Sequence, residues 1–110
     1  DKGLYYNENS PMLLFAQGYN VYFQLKKTPS LNGKIKKYLG QDPKHYTLLK
    51  LEEAIKYGKL AYIQECFRAQ VNYELGNIDR SAEIFQELII KYPTRKSHIL
   101  GMMQELRSNE

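Results

Sequence analysis

The sequence predicts an all-α protein with about five helices. Apolar residues recur at helical spacing in several segments, and no segment shows the sustained apolar–polar alternation of a strand. Proline directly follows a capping residue at Ser10-Pro11 and at Asp42-Pro43, a pattern typical of helix starts. With 110 residues, 43% of them hydrophobic and 25% charged, the chain has the composition of one small globular domain.

The first two predicted segments differ in regularity. Residues 1–9 are expected to form a polar N-terminal arm, and a helix follows from Pro11 to Lys27. Apolar residues occupy most of the circumference of this helix, so we expect it to pack on two sides or to cover a partner. Residues 28–41 contain Pro29, Asn32-Gly33 and Gly40. We expect a loop there with one or two helical turns.

Four further segments carry helical periodicity. A helix from residue 42 to about 57 places Leu48, Leu51 and Ile55 on one buried stripe, and Gly58 ends it. The next helix spans about 59–75, with one apolar face and an opposite polar face that carries Gln64, Glu65, Arg68 and Asn72. A helix over 79–92 is expected to bury Ala82, Phe85, Leu88 and Ile89. The last helix, about 95–107, carries Ile99, Met102, Met103 and Leu106.

Residues 62–95 resemble one tetratricopeptide (TPR) unit, a helix pair with a period of about 34 residues. Counting from Tyr62 as the first position, Ala69 and Ser81 stand at small-residue positions where the two helices approach closely. Leu75-Gly76 stands at the turn, and Phe85 at the large aromatic position. The remaining matches are Leu88 and Pro93. The resemblance implies antiparallel helix hairpins stacked as a short right-handed TPR-like solenoid.

The same period selects residues on both sides of this unit. One period later are Ile99, Met102, Met103 and Leu106, and one period earlier are Thr47, Leu51 and Ala54. We therefore expect one TPR-like domain over residues 10–110, with a weak repeat, the repeat 62–95 and a closing helix 95–107. The weak repeat opens either with residues 28–41 or with the helix 11–27, residues 28–42 then being an insertion. A non-repetitive helical bundle is the alternative.

The resemblance also implies a partner-binding groove, because TPR ligands lie against the first helix of each repeat. The matching positions are Ile63, Cys66, Gln70, Tyr73, Ser97 and Leu100. Cys66 and Gln70 stand where the chaperone-tail receptors of this family carry lysine and asparagine, so a two-carboxylate clamp is not expected. The expected partner is a helix or extended segment of another protein. Alternatively, Tyr62, Ile63 and Cys66 only pack against the preceding helix.

Catalytic signatures are absent from the sequence. It contains no G-x-S-x-G, H-E-x-x-H, G-x-G-x-x-G or phosphate-binding glycine loop. Cys66 is the only cysteine, and its place on an apolar helix face indicates a buried thiol without partner thiols for a zinc site. We therefore expect no enzymatic activity, no cofactor and no metal.

Positive charge is concentrated in one half of the chain. Residues 26–59 contain nine lysines and three acidic residues, a net charge of +6. Candidate members of a basic surface are Lys34, Lys36, Lys37 and Lys44. A solvated face is the simpler interpretation, and no nucleic-acid-binding module is recognised. A regulatory or nucleic-acid-associated helical domain that uses this surface is the alternative function.

The favoured function is a non-enzymatic protein-interaction scaffold. Residues 81–93, S-A-E-I-F-Q-E-L-I-I-K-Y-P, resemble the phrase A-I-x-x-F-Q-x-L-I-x-x-Y-P of short TPR lipoproteins of bacterial envelopes, the BamD and YbgF kind. That resemblance implies a role in outer-membrane protein assembly or envelope maintenance. No apolar run exceeds the five residues 12–16, so no transmembrane segment is expected. The expected location is the periplasm or a lipid anchor if a leader was removed, and otherwise the cytoplasm.

Overall fold

The computed structural model describes residues 10–108, and the chain divides into two compact units, Asp1–Leu60 (unit 1) and Ala61–Glu110 (unit 2). The described residues form six α-helices and no strand, which confirms the all-α prediction. There is one helix more than expected, because part of residues 28–41 forms a complete short helix. The predicted arm 1–9 lies outside the described residues, and the single TPR-like domain stays a prediction.

Unit 1 contains three α-helices: α1 (Pro11–Lys27), α2 (Asn32–Leu39) and α3 (Pro43–Tyr57). A single 3-10 turn, Pro29–Leu31, connects α1 to α2. Proline is the first residue of both α1 and α3, as the sequence predicts. The Asp42 carboxylate caps α3 by accepting a hydrogen bond from the His45 N–H at 3.1 Å. Ser10 holds the same position before α1, but its side chain makes no capping bond.

Helices α1 and α3 approach closely at Gly18 and Thr47. A Cβ atom on Gly18 would lie 3.1 Å from the Thr47 carbonyl oxygen, so only glycine fits there without a shift. The Thr47 hydroxyl donates to the Gly18 carbonyl at 2.9 Å and lies 3.1 Å from the Pro43 carbonyl oxygen. Both residues are buried. The Thr47 hydroxyl group is therefore hydrogen-bonded although it is buried where the two helices cross.

The buried stripe of α3 is shifted from the predicted one. Leu51 is fully buried as expected, but Leu48 and Ile55 are only half-buried. Thr47 and Ala54 are fully buried instead. These are the residues that the 34-residue period selects, together with Leu51. Gly58 ends α3 as predicted, and a Cβ atom there would lie 2.7 Å from Pro11 Cγ.

Unit 2 also contains three α-helices: α4 (Tyr62–Glu74), α5 (Ile78–Lys91) and α6 (Lys96–Ser108). The turn between α4 and α5 is a Schellman motif around Gly76, whose φ of 89° lies in the left-handed region that favours glycine. The Asn77 N–H donates to the Asn72 carbonyl at 2.8 Å, and the Gly76 N–H donates to the Tyr73 carbonyl at 3.0 Å. A 3-10 turn, Pro93–Arg95, separates α5 from α6.

The core of unit 2 lies where α4, α5 and α6 meet. The Ser81 hydroxyl donates to the Ala69 carbonyl at 2.8 Å, which joins α5 to α4 through two small residues. The buried apolar cluster consists of Cys66, Ala69, Ile84, Phe85, Leu88 and Ile99. Half-buried residues packed against it include Tyr62, Ile89, Tyr92, Met102, Met103 and Leu106.

One sequence-based expectation for unit 2 is wrong, and one polar helix face is partly buried. On the polar face of α4, Arg68 and Asn72 are buried. Arg68 Nε pairs with the Glu65 carboxylate at 2.8 Å, and the Asn72 amide donates to the Arg68 carbonyl at 2.9 Å. In α5, Ile84 is buried and Ala82 is exposed. The helix is therefore rotated about its axis from the expected orientation. The many apolar residues between 82 and 90 are compatible with more than one buried face, so they do not determine this orientation.

Candidate functional site

An apolar groove opens between the helices of unit 2. Its cavity volume is about 260 Å³. Tyr73 comes from the last turn of α4, the residues from α5 lie in its first half, and the residues from α6 lie in its second half. The complete lining is Tyr73, Ile78, Ser81, Ala82, Phe85, Met103, Leu106 and Arg107. We call this feature the unit 2 groove.

The groove exists because α6 is fully buried at only one position. Ile99, in its first turns, is completely buried in the core. Met103 and Leu106, further along α6, are only half-buried and line the groove. Ile78 at the start of α5 keeps 45% of its surface exposed. Large apolar side chains therefore remain open to solvent around a concave surface, which is typical of a binding site.

Tyr73, one of the residues that line the groove, carries a buried hydroxyl group. The Tyr73 hydroxyl oxygen is buried and has no hydrogen-bond partner among residues 10–108. A buried polar group without a partner costs about 1–3 kcal/mol.

The outer edge of the unit 2 groove is acidic. A shallow depression on α5 is lined by Ala82, which also lines the groove, together with Asp79, Glu83, Gln86 and Glu87. The three carboxylates lie at four-residue spacing and therefore on one side of the helix. Glu83 forms an exposed ion pair with Arg80 at 3.1 Å. The acidic stripe Asp79–Glu83–Glu87 thus runs beside the apolar residues of the groove.

The six residues predicted to form a partner-binding face do not gather in one place. Tyr73 lines the unit 2 groove, whereas Cys66 belongs to the buried core. Ile63 is 62% exposed at the other end of α4. Gln70 donates to the Glu74 carboxylate at 3.1 Å. Ser97 and Leu100 are exposed on α6 and are not part of the groove lining.

Sequence reasoning did not select Ile78, Ala82 and Arg107 as functional. A signal for the first two was available in α5. Apolar residues occur there at 78, 82, 85 and 89, which form one helical stripe, and Ile84, Phe85 and Leu88 form a second stripe with the small residue Ser81. Two stripes are more than one helix contact needs, so the sequence indicated a contact surface on α5 in addition to the core.

A cluster around Cys66 has distinct chemistry. The Tyr62 hydroxyl lies 2.7 Å from His98 Nδ1, and the Arg95 guanidinium lies 5.0 Å from the centre of the Tyr62 ring. Burial raises the pKa of the Cys66 thiol, and the neighbouring Glu65 carboxylate raises it further. Burial also raises the pKa of Tyr62, as does the neighbouring Cys66. Both groups are protonated at neutral pH, and a protonated thiol is a poor nucleophile.

The predicted basic surface is divided in the structure. Lys34, Lys36 and Lys37 are exposed on the short helix α2 of unit 1. Lys44 is half-buried at the start of α3. Lys34 lines a groove between α1 and α2, whereas Lys44 lines a separate depression beside Leu25 and Pro29. The three lysines of α2 are therefore separated from Lys44.

In comparisons with known proteins, no family model, no curated protein and no solved structure matches this chain. The TPR resemblance of residues 62–95 accordingly stays a hypothesis.

Residues 10–108 contain no helix that could cross a membrane. None of the six helices combines the length and the apolar character that a bilayer-spanning helix requires.

Proposed function

We propose that this chain is a non-enzymatic protein-interaction scaffold, and that the unit 2 groove binds the apolar face of an amphipathic helix from another protein. The observation that carries this proposal is the groove itself, which places exposed Ile78 and half-buried Met103 and Leu106 on one concave surface. Helix-in-groove binding uses surfaces of this kind.

The size of the groove supports a protein partner. Pockets that enclose small molecules usually have volumes of about 300–1,000 Å³. A volume of about 260 Å³ is below that range and suits one or two large apolar side chains. The remaining contact would come from the exposed residues beside the cavity. A partner helix can align with α5 and α6, because the lining residues span about two turns of α5 and about one turn of α6.

The charge of the groove edge specifies the partner further. A helix whose apolar residues enter the groove would place its flanking residues beside Asp79, Glu83 and Glu87. Lysine or arginine at four-residue spacing on that helix would match the spacing of the acidic stripe. Such rim charges accelerate association and select among partners more than they add affinity. The proposed partner is therefore an amphipathic helix with a basic flank.

The TPR-like hypothesis receives support from a similarity between the two helix pairs. Thr47 and Ser81 are separated by one 34-residue period, and each hydroxyl donates to the carbonyl of a small residue on the facing helix. The acceptors are Gly18 in α1 and Ala69 in α4. The pairing α1–α3 favours the version in which helix 11–27 opens the first repeat, with α2 in the inserted segment. We propose both units as divergent TPR-like hairpins.

A narrower proposal concerns the biological setting. The resemblance of residues 81–93 to the phrase of envelope TPR lipoproteins favours a partner that acts in outer-membrane protein assembly or envelope maintenance. Within that phrase, Ser81, Phe85 and Leu88 are buried, and Ile90 is 78% exposed. The buried residues account for the packing of α5, so the phrase supports the helix pair more directly than it supports the setting.

A peptide titration with a matched pair of variants tests the proposed function. The probe is a fluorescein-labelled peptide with leucine at i, i+3, i+4 and i+7 and lysine on one flank, and its control has the same composition without that periodicity. Ala82→Gln adds a polar side chain to the groove at an exposed position, and Ala16→Gln makes the same change on the exposed side of α1. We expect the first variant to weaken binding at least about tenfold, while the second binds as the parent does.

Two results would contradict the proposal. Equal binding of the periodic and the scrambled peptide would show that no helical face is recognised. Equal weakening by the two glutamine variants would show that binding occurs outside the unit 2 groove. Thermal unfolding monitored by circular dichroism checks that both variants fold, as is expected for substitutions at exposed helical positions.

A further inference from the structure

A second groove, in unit 1, lies between α1 and α2 and has a cavity volume of about 400 Å³. From α1 it is lined by the amide side chains of Gln17, Asn20 and Gln24, and from α2 by Lys34 and Tyr38. The rest of its lining is apolar or aromatic and consists of Val21, Ile35, Leu39 and, from α3, Tyr46. Tyr38 is 90% exposed. We call this feature the amide groove, and no residue of the unit 2 groove takes part in it.

The three amides form a row with free hydrogen-bonding capacity. Their spacing of three and four residues places them on one face of α1, about 4.5 and 6 Å apart along the helix axis. The side chains make no hydrogen bond to any residue within 10–108. Each amide offers donors and an acceptor at the same time. The groups that match this combination are the alternating N–H and C=O groups of an extended peptide, which point to the same side about every 6.6 Å.

The charge around the amide groove favours an acidic occupant. The described part of unit 1 contains nine lysines and three acidic residues. Lys34 lines the groove, and Lys36 and Lys37 are exposed on the same short helix. A carboxylate on the occupant would therefore meet an unpaired ammonium group at Lys34 and a positive field around it.

The same chemistry distinguishes a peptide from a nucleic acid. A phosphodiester backbone presents acceptors only, so the carbonyl oxygens of the three amides would face no donor. Residues 10–60 contain lysine but no arginine, the residue that binds phosphates and guanine in the bidentate manner. The exposed aromatic residues of α1 also stack on one another, with 6.0 Å between the ring centres of Tyr19 and Phe23. The faces of these aromatic rings are therefore only partly available for stacking with nucleic-acid bases.

We infer that the amide groove binds an extended acidic peptide segment of a partner protein. The peptide backbone pairs with the side-chain amides of Gln17, Asn20 and Gln24, and an acidic side chain or terminal carboxylate of the peptide pairs with Lys34. This inference goes beyond the proposed helix-binding function and rests on different residues, so either one can fail without the other.

Fluorescence anisotropy with the full chain tests the inference. The probe is a fluorescein-labelled peptide in which glutamate and valine alternate, and the controls are a lysine–valine peptide and a single-stranded oligothymidylate. The decisive variant replaces Gln17, Asn20 and Gln24 by alanine, which leaves the net charge unchanged at exposed positions. Lys34→Gln removes the proposed carboxylate partner, and Lys56→Gln removes an exposed lysine of α3 outside the groove.

The expected results separate a built site from general electrostatic attraction. The triple alanine variant should bind the glutamate probe at least about tenfold more weakly. Lys34→Gln should weaken binding about fivefold, and Lys56→Gln less than about twofold. Unchanged binding by the triple variant, or equal effects of the two lysine variants, would overturn the inference. Equal or tighter binding of the oligothymidylate would overturn it in favour of a nucleic-acid site.

Discussion

Two buried hydroxyl groups join the facing helices within the two units. Thr47 donates to Gly18 at 2.9 Å, and Ser81 donates to Ala69 at 2.8 Å. In each case the acceptor residue is small, so the two helix backbones can approach closely enough for a side chain to reach the opposite carbonyl group. A hydroxyl inside a helix commonly bonds within its own helix, and these two also reach the facing helix, although Thr47 lies 3.1 Å from the Pro43 carbonyl oxygen of its own helix as well. They are therefore expected to contribute directly to stability.

Replacing the hydroxyl at position 47 tests this contribution. Thr47→Val keeps the shape of the side chain but removes the donor, and we expect the free energy of unfolding to fall by about 1–2 kcal/mol. Thr47→Ser retains the hydroxyl and should recover the hydrogen-bond part of that loss. Urea denaturation measures both changes. The exposed Thr94→Val is the matched control, and a loss as large there as at Thr47 would contradict the assigned role.

Cys66 allows a second test at the scale of single residues. Because burial raises the pKa of its thiol, iodoacetamide at pH 8 should modify the folded chain at least about 100-fold more slowly than the denatured chain. The protonated thiol makes its full contribution to the free energy of unfolding below the pKa of 9.0 that is ordinary for cysteine. This contribution is lost as the pH rises through the higher pKa of Cys66 in the folded chain. Mass spectrometry follows the single cysteine, and equal rates in the two states would show that the thiol is accessible.

At the scale of helices and turns, glycine acts in two different ways. Gly76 adopts a left-handed conformation, with φ of 89°, in the turn between α4 and α5. Gly101 lies inside α6 in open space, where an added Cβ atom would meet nothing within 4 Å. The first glycine is required by the backbone, whereas the second only weakens its helix.

Alanine substitutions at these two positions should therefore have opposite effects. Gly76→Ala should lower the free energy of unfolding by about 1 kcal/mol or more, because alanine is strained at positive φ. Gly101→Ala should raise it by about 0.5–1 kcal/mol, because alanine favours the helix. Thermal and urea unfolding of the two variants provide the measurement. If both substitutions change stability in the same direction, the described conformation of one glycine is wrong.

The sequence predicted the elements better than the faces they bury. Helix starts at Pro11 and Pro43 and the turn at Gly76 follow from local chemistry, which depends on few neighbours. The orientation of α5 does not follow from local chemistry. Apolar residues occupy most of its circumference, so several rotations about the helix axis would bury a similar apolar surface area. Arg68 can be buried because it pairs with the Glu65 carboxylate, and Asn72 can be buried because its amide donates to the Arg68 carbonyl. The periodicity of apolar residues does not reveal such pairings.

At the scale of the whole molecule, the two units carry surfaces of different chemistry. The unit 2 groove is apolar with an acidic edge, and its proposed ligand is a helix with a basic flank. The amide groove of unit 1 combines amide and lysine side chains with a largely apolar lining, and its proposed ligand is an extended acidic segment. The sequence predicted a protein partner through the TPR resemblance. It did not locate either groove, because each is formed by residues of separate helices.

The most direct test of the proposed function is a methyl NMR titration of the full chain with the periodic amphipathic peptide. Because bound leucine side chains would lie in the unit 2 groove, we predict the largest shift changes at Ile78, Ala82, Met103 and Leu106. Val21 and Ile35, which line the amide groove, should remain unchanged. Changes centred on Val21 and Ile35, or no saturable change at the four groove methyl groups, would contradict the proposal that unit 2 binds an amphipathic helix.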